Sequence, residues 1–241
     1  MLSSLSTGIF IMWITIAGYC WLCRQPLHYD TKGVCSSCIR HLPKQHNRCP
    51  CCLYPSSHSM MLCGRCLQSP PLWKQMLTVT DYQPPLNKLL HLYKYQPRPQ
   101  IALCLARLFL LRWLSHRREN LVQIPDRIIS VPSHHHRRWS RGFEQVEAIA
   151  KPLARWLNCA YQPDTLIRTR ATLVQTHLNA KQRQQNLKNA FVLNNTVSVS
   201  GKNLALIDDV ITTSATLKSI APLLFRAGAR SVEVWAICRT L

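Results

Sequence analysis

Leu204-Ala205-Leu206-Ile207-Asp208-Asp209-Val210-Ile211-Thr212-Thr213-Ser214-Ala215-Thr216-Leu217 carries the strongest fold signal in the chain. The apolar run from Leu204 to Ile207 ends in two adjacent carboxylates, a loop of small hydroxyl residues follows, and a helical pattern starts at about Ala215. That is the layout of a strand, a phosphate-gripping loop and a helix N-terminus in a parallel α/β sheet, where ligands bind beyond the carboxyl ends of strands. Backbone amides from Thr212 through Ala215 to Thr216, backed by the helix dipole, would hold a phosphate. The hydroxyls of Thr212, Thr213, Ser214 and Thr216 add donors. Asp208 and Asp209 would face the hydroxyls of a sugar, directly or through Mg²⁺, which prefers oxygen ligands. Two carboxylates at the end of a buried strand are costly to desolvate unless they are used.

Working outward, the pattern stays α/β. Leu77 to Tyr82, Arg127 to Val131 and Val232 to Ile237 read as strands. Leu86 to Tyr95 reads as a short helix, and Phe143 to Leu157 as an amphipathic one. Ile101 to Leu114 is apolar on nearly all faces, so it is a buried or interface helix; Arg107 and Arg112 within it argue against a membrane span. The last helix runs from about Ala215 to Ala227, with Gly228 placed to end it. Residues 168–180 read as an extended or flexible loop, and Lys181 to Ala190 as a basic helix. Alternating strands and helices imply a largely parallel sheet with helices on both faces.

The first part of the chain is different. Eight of the twelve cysteines form four C-x-x-C pairs: Cys20/Cys23, Cys35/Cys38, Cys49/Cys52 and Cys63/Cys66. Each pair puts two thiolates on one tight turn, and two turns make a tetrahedral S₄ site suited to Zn²⁺. Eight ligands give two zincs, and with every position a cysteine both are structural. Sequential and cross-braced pairings use the same residues, and spacing alone does not separate zinc from an iron–sulfur cluster. Cys51 is off register, while Cys104, Cys159 and Cys238 stand alone in apolar contexts and read as buried thiols. Gln68-Ser69-Pro70-Pro71 reads as a linker. The expected organisation is a double zinc-ribbon module over residues 19–68 and an α/β domain over 72–241. Paired metal-type cysteines and solitary thiols both fit a reducing cytoplasm.

The formal net charge is +20 over 241 residues. There is no Asp or Glu between 165 and 207, and only Asp30 before residue 81. A basic excess this broad suits a polyanion: nucleic acid, a phosphorylated ligand or an acidic protein. The apolar run Gly8 to Gly18 is too short to span a bilayer and lacks the basic flank of a signal peptide. Met12 is an alternative start. Oligomeric state is left open.

Ser130-Val131-Pro132 ends a strand and opens S-H-H-H-R-R-W-S-R-G-F-E-Q, where Arg137, Arg138 and Arg141 offer forked donors to a pyrophosphate. His134, His135 and His136 read as an exposed basic loop. The segment around Asp208 resembles the phosphoribosyl-pyrophosphate (PRPP) loop of type I phosphoribosyltransferases, with Ser214 where glycine is usual. The series V-P, R-G-F-x-Q, R-T-R-A-T-x-x-Q, R-x-x-N-L-x-x-A-F and D-D-V-x-T-T-x-x-T, following a cysteine-rich N-terminus, resembles the ComF family and its GntX branch. The likeness runs from about Cys20 to Leu241. It implies a type I phosphoribosyltransferase-like fold with a hood, and a role in competence-type DNA uptake or use of DNA as a nutrient. It also implies a PRPP-like ligand held by Arg141, Gln145, Arg168, Arg170 and the 212–216 loop, with Lys94 among the matching residues. Glu144 stands where the family usually has Asn. The alternatives are an active Mg²⁺-dependent phosphoribosyltransferase of unknown acceptor and a catalytically silent adaptor. Single-stranded DNA and proteins of the uptake machinery are the expected partners.

Overall fold

A computed structural model describes residues 18–27, 33–58, 61–96, 98–132, 144–169, 190–194 and 196–241. The main sheet has five strands, all parallel: β1 (Gln75–Asp81), β7 (Ser231–Arg239), β6 (Asn203–Ile211), β2 (Arg127–Ser130) and β3 (Ala160–Tyr161), in that order across the sheet. The two central strands, β6 and β7, are the longest, and nearly all of β7 is buried. A strand covered on both faces reads as a continuous apolar run, as Val234 to Cys238 does.

After two short helices in the cysteine-rich segment, α1 (Ser36–Arg40) and α2 (Gly64–Gln68), one face of the sheet carries α3 (Leu86–Tyr95), α4 (Pro99–Asn120) and α5 (Gln145–Leu157), whose Leu90, Phe109 and Leu153 pack with Ile207, Trp235 and Ile237. The other face carries α6 (Ala215–Arg226), whose Leu217, Ile220 and Leu224 pack with Leu204, Leu206 and Val234. A two-stranded antiparallel hairpin, β4 (Leu166–Arg168) with β5 (Phe191–Leu193), lies on this second side through Leu166 and Phe191. The α/β class expected from the sequence is the class observed.

Several boundaries differ from the sequence reading. Helix α4 continues past Leu114 to Asn120. The added turns are polar and tied by their own side chains: the Ser115 hydroxyl donates to Glu119, Asn120 bonds His116, and Arg117 lies over the Trp113 ring. Strand β6 does not stop at Ile207 but runs through both carboxylates, because β7 continues the ladder as far as the Ile211–Arg239 pair. Gly228 ends α6 as expected, with φ +88 and its carbonyl accepting from Gly201. A Cβ there would sit 2.9 Å from the Ser200 hydroxyl. The loop and helix expected over 168–190 lie outside the described residues except at their ends, where Arg168 closes β4 and Ala190 is not helical.

The cysteine-rich segment wraps the β1 edge of the sheet. Cys20, Leu27 and Val34 join the core beneath α3 and α4, whereas Leu53 and Trp73 join the core of the opposite face. Between them Pro50 accepts from the Met76 amide, and Pro43 accepts from the Thr80 hydroxyl. Arg48 pairs with Asp81, which also accepts from Gln45 at 2.9 Å. An unpaired strand edge is a template for foreign pairing; here the segment covers it. Among the described residues no helix is long and apolar enough to cross a membrane.

Candidate functional site at the carboxyl edge of the sheet

Asp208 and Asp209 sit half-buried near the carboxyl end of β6. Asp208 accepts from the Asp209 amide at 2.8 Å, and Asp209 accepts from the Val210 amide at 2.7 Å. The second carboxylate also meets Lys94 of α3, Oδ2 to Nζ 3.1 Å. Asp208 is different: burial, then the neighbouring Asp209 charge, pushes its carboxyl up to about 8, with Lys94 pulling the other way. A carboxyl whose folded-state pKa is raised in this way costs folding free energy at neutral pH, and strongly perturbed carboxyls are commonest at functional sites.

Past Ile211 the chain turns through exposed Thr212 and Thr213 into Ser214, the N-cap of α6. Ser214 takes φ 58 and ψ 11, the left-handed region. A non-glycine residue there costs roughly 1–2 kcal/mol. The structure offsets that cost with a hydrogen bond from Arg239 Nη1 to the Ser214 Oγ at 3.2 Å. A bond from a charged donor contributes about 1.5–3 kcal/mol, enough to balance the strain. The serine that replaces the usual glycine therefore brings its own compensation. The first amides of α6 point out of the helix end without intrahelical partners, with Ala215 and Thr216 half-buried at the mouth.

The other residues singled out in the sequence divide. Gln145 opens α5 and is buried; its amide donates to the Tyr93 carbonyl at 3.4 Å, and the Tyr93 hydroxyl donates to the Gln145 carbonyl at 2.8 Å. It thus links α5 to α3, the helix that carries Lys94. Arg168 lies on the hairpin, its guanidinium over the Phe191 ring. Arg141 and Arg170 lie outside the described residues, as do His134, His135, His136, Arg137 and Arg138. At the end of β2, the Ser130 hydroxyl meets the Tyr161 hydroxyl at 3.1 Å. Arg239, which the sequence reading missed, closes an apolar strand; a lone cation ending such a run was its one signal.

The eight paired cysteines form two clusters, Cys20/Cys23/Cys35/Cys38 and Cys49/Cys52/Cys63/Cys66, with the sulfurs of each within 4.8 Å of one another. The pairing is sequential. Four sulfurs about 2.3 Å from a Zn²⁺ stand about 3.8 Å apart, and Cys23–Cys35 and Cys52–Cys63 are 3.8 and 3.4 Å apart. The two knuckles repeat one backbone plan. Around the first C-x-x-C of each cluster the flanking residues form a bridge, Tyr19 with Pro26 and Arg48 with Pro55, and the residue just after it, Arg24 or Leu53, takes positive φ. Burial acts to raise the Cys20 thiol, but amides of Cys23, Cys35 and Leu22 outweigh it and bring the thiol down to about 6. Such N–H···S donors are what a metal-bound thiolate needs. Cys51 stays outside the cluster and meets the Lys74 carbonyl. Cys104 and Cys238 are buried thiols and Cys159 is partly buried.

No protein-family model matches the chain. Among solved structures, adenine phosphoribosyltransferase from Saccharomyces cerevisiae aligns at TM-score 0.38 and 17% identity, over 60% of this chain and 70% of that one. The glutamine PRPP amidotransferase of B. subtilis aligns at TM-score 0.37 and 24% identity, over 60% of this chain and 30% of that one. Among curated proteins, the DNA utilization protein YhgH of Shigella flexneri is 48% identical over 228 residues, 95% of this chain and 100% of that protein. The YhgH of Escherichia coli K12 is 47% identical over the same length. Competence protein F of Haemophilus influenzae is 36% identical over 223 residues, 91% of this chain and 96% of that protein. Identity at this level over nearly the whole of both chains shows the relationship directly: the chain belongs to the ComF family of YhgH and competence protein F.

Proposed function

We propose that this protein serves DNA uptake or utilisation in the cytoplasm, and that it does so with a PRPP-like ligand bound at the carboxyl edge of its sheet. The observation that carries the reading is the Asp208–Asp209 pair immediately ahead of the Ser214 turn and the α6 N-terminus. In this reading the α6 amides and the Thr212, Thr213 and Thr216 hydroxyls hold the 5-phosphate. Asp209, oriented by Lys94, accepts from the ribose hydroxyls. Asp208 would release its proton to solvent on ligand binding, and the two carboxylates would hold a Mg²⁺ whose charge would neutralise the pyrophosphate. Arg141, Arg168 and Arg170 would bring further positive charge from the hood. Any catalysis would be positioning plus electrostatic stabilisation of an oxocarbenium-like state, with water excluded.

The two cysteine clusters would each hold one structural Zn²⁺, needed because a segment of about fifty residues buries too little core to fold alone. That segment, with exposed Arg24 and Arg40, would meet single-stranded DNA or a protein of the uptake machinery. The test is genetic. A strain carrying Asp208→Asn with Asp209→Asn should grow on DNA as sole carbon source as poorly as a deletion strain, with the variant present at parental abundance. Full growth would separate the carboxylate pair from the function.

A further inference from the structure

Arg239 is 3% exposed, yet among the described residues it forms no ion pair with a carboxylate, and its Nε has no hydrogen-bond partner. Its surroundings come from three distant parts of the chain. The Tyr54 ring lies 5.2 Å from the guanidinium on the cysteine-rich segment, Met76 Sδ is 3.9 Å from Nη1, and Ser214 Oγ is 3.2 Å from the same nitrogen. The register puts Arg239 opposite Ile211, so it stands at the carboxyl edge of β7 beside the turn that leads into α6. Asp81, its neighbour on the other side, is taken by Arg48 and Gln45. A guanidinium buried without a counter-ion is costly unless an anion completes it.

We propose that Arg239 is a positioning residue for the bound phosphate: it holds Ser214 in its left-handed turn and sets a buried positive charge beneath the phosphate loop. This rests on the phosphate reading of that loop and deepens it. Two anionic sites flank the guanidinium. One is the ligand phosphate beyond Ser214. The other is the second cysteine cluster, where four thiolates around a divalent ion would keep a net negative charge near Tyr54. The cysteine-rich segment then contributes to the ligand site through Tyr54, whose ring lies against Arg239 at 5.2 Å and Arg65 at 4.4 Å. The pairing also gives Ser214 a reason to replace glycine, since only a side chain with an acceptor can be gripped this way.

The test is calorimetric titration of the full zinc-loaded chain with PRPP and Mg²⁺. Arg239→Met should weaken binding by about tenfold or more, the loss expected for a charge-assisted contact. Arg239→Lys, which keeps the charge, should recover most of it. Ser214→Ala, which severs the bond and leaves the arginine in place, should lose about threefold, less than the arginine variant because the buried charge remains and only the hold on the turn is lost. Two zincs per chain in each variant would show that the fold is intact. Should Arg239→Met fail to fold, Ser214→Ala carries the test, and parental affinity there overturns the proposal. Parental affinity in a folded Arg239→Met overturns it as well, and leaves the phosphate reading standing. A parent protein that does not bind PRPP removes both.

Discussion

Asp208→Asn should make this protein more stable, and increasingly so as pH rises. The side chain keeps its size and, through Oδ1, its acceptance of the Asp209 amide at 2.8 Å. What it loses is the ionisable proton that burial and the Asp209 charge hold on up to about 8. The unfolded chain releases that proton at about 3.9. A group that binds its proton more tightly when folded contributes stability at low pH, and loses it as pH climbs from the unfolded value through the folded one. The limiting slope is about 1.4 kcal/mol per pH unit. Because the side chain is only half-buried, we expect the advantage of the variant to grow by about 1–2 kcal/mol between pH 6 and pH 8. For a chain of this length that is roughly 2–8 °C in Tm. Thermal melts of parent and variant from pH 6 to pH 8.5, at constant zinc, measure it. A variant that melts below the parent at pH 8, or a difference that does not change with pH, would mean that Asp208 is not held protonated by burial.

The remaining predictions concern metal, docking and DNA. Elemental analysis of the parent should give two zincs per chain; Cys63→Ser should release about one, with loss of structure in the second knuckle, since the metal's binding energy is folding energy there. An iron chromophore in the parent, or an unchanged metal content in Cys63→Ser, would contradict the assignment. Arg48→Ala should cost about 3 kcal/mol, because it leaves Asp81 buried without its charge partner; an unchanged Tm would mean the edge is held by its other bonds. Single-stranded DNA should bind with little sequence preference, and neutralising Arg24 and Arg40 together should lower the salt slope by up to about 1.4, about 0.7 per phosphate contact. An unaltered slope would move the contact elsewhere.

The sequence was most informative where one segment alone determines its own structure. Leu86–Tyr95 has the ends read from its periodicity, and the C-x-x-C turns gather into the two clusters their spacing allows. The Asp pair precedes a turn and a helix, as the 204–217 pattern required. What was missed depends on partners far along the chain. Strand β3 is two residues long, and the three-residue strands of the β4–β5 hairpin are separated by an insertion, so neither carries a readable alternation. The carboxylates lie within β6 because β7 extends the ladder past them, a fact about pairing that an apolar run cannot express. Cysteine counting found the metal-type module but not its docking, which uses Arg48, Gln45 and Pro43 against β1. Arg239 was not singled out in the sequence; its meaning comes from Tyr54, Met76 and Ser214, brought together only by the fold.

The most direct test of the account is calorimetric titration of PRPP with Mg²⁺ into the parent and into Asp208→Asn at pH 8. The parent should show saturable one-to-one binding and the variant little or none, although the variant is the more stable of the two. That combination, a more stable fold with a lost ligand, is what a carboxylate kept for binding at the expense of stability produces. Equal affinity for both proteins, or no heat with either, would contradict the claim that this edge of the sheet is a phosphoribosyl site.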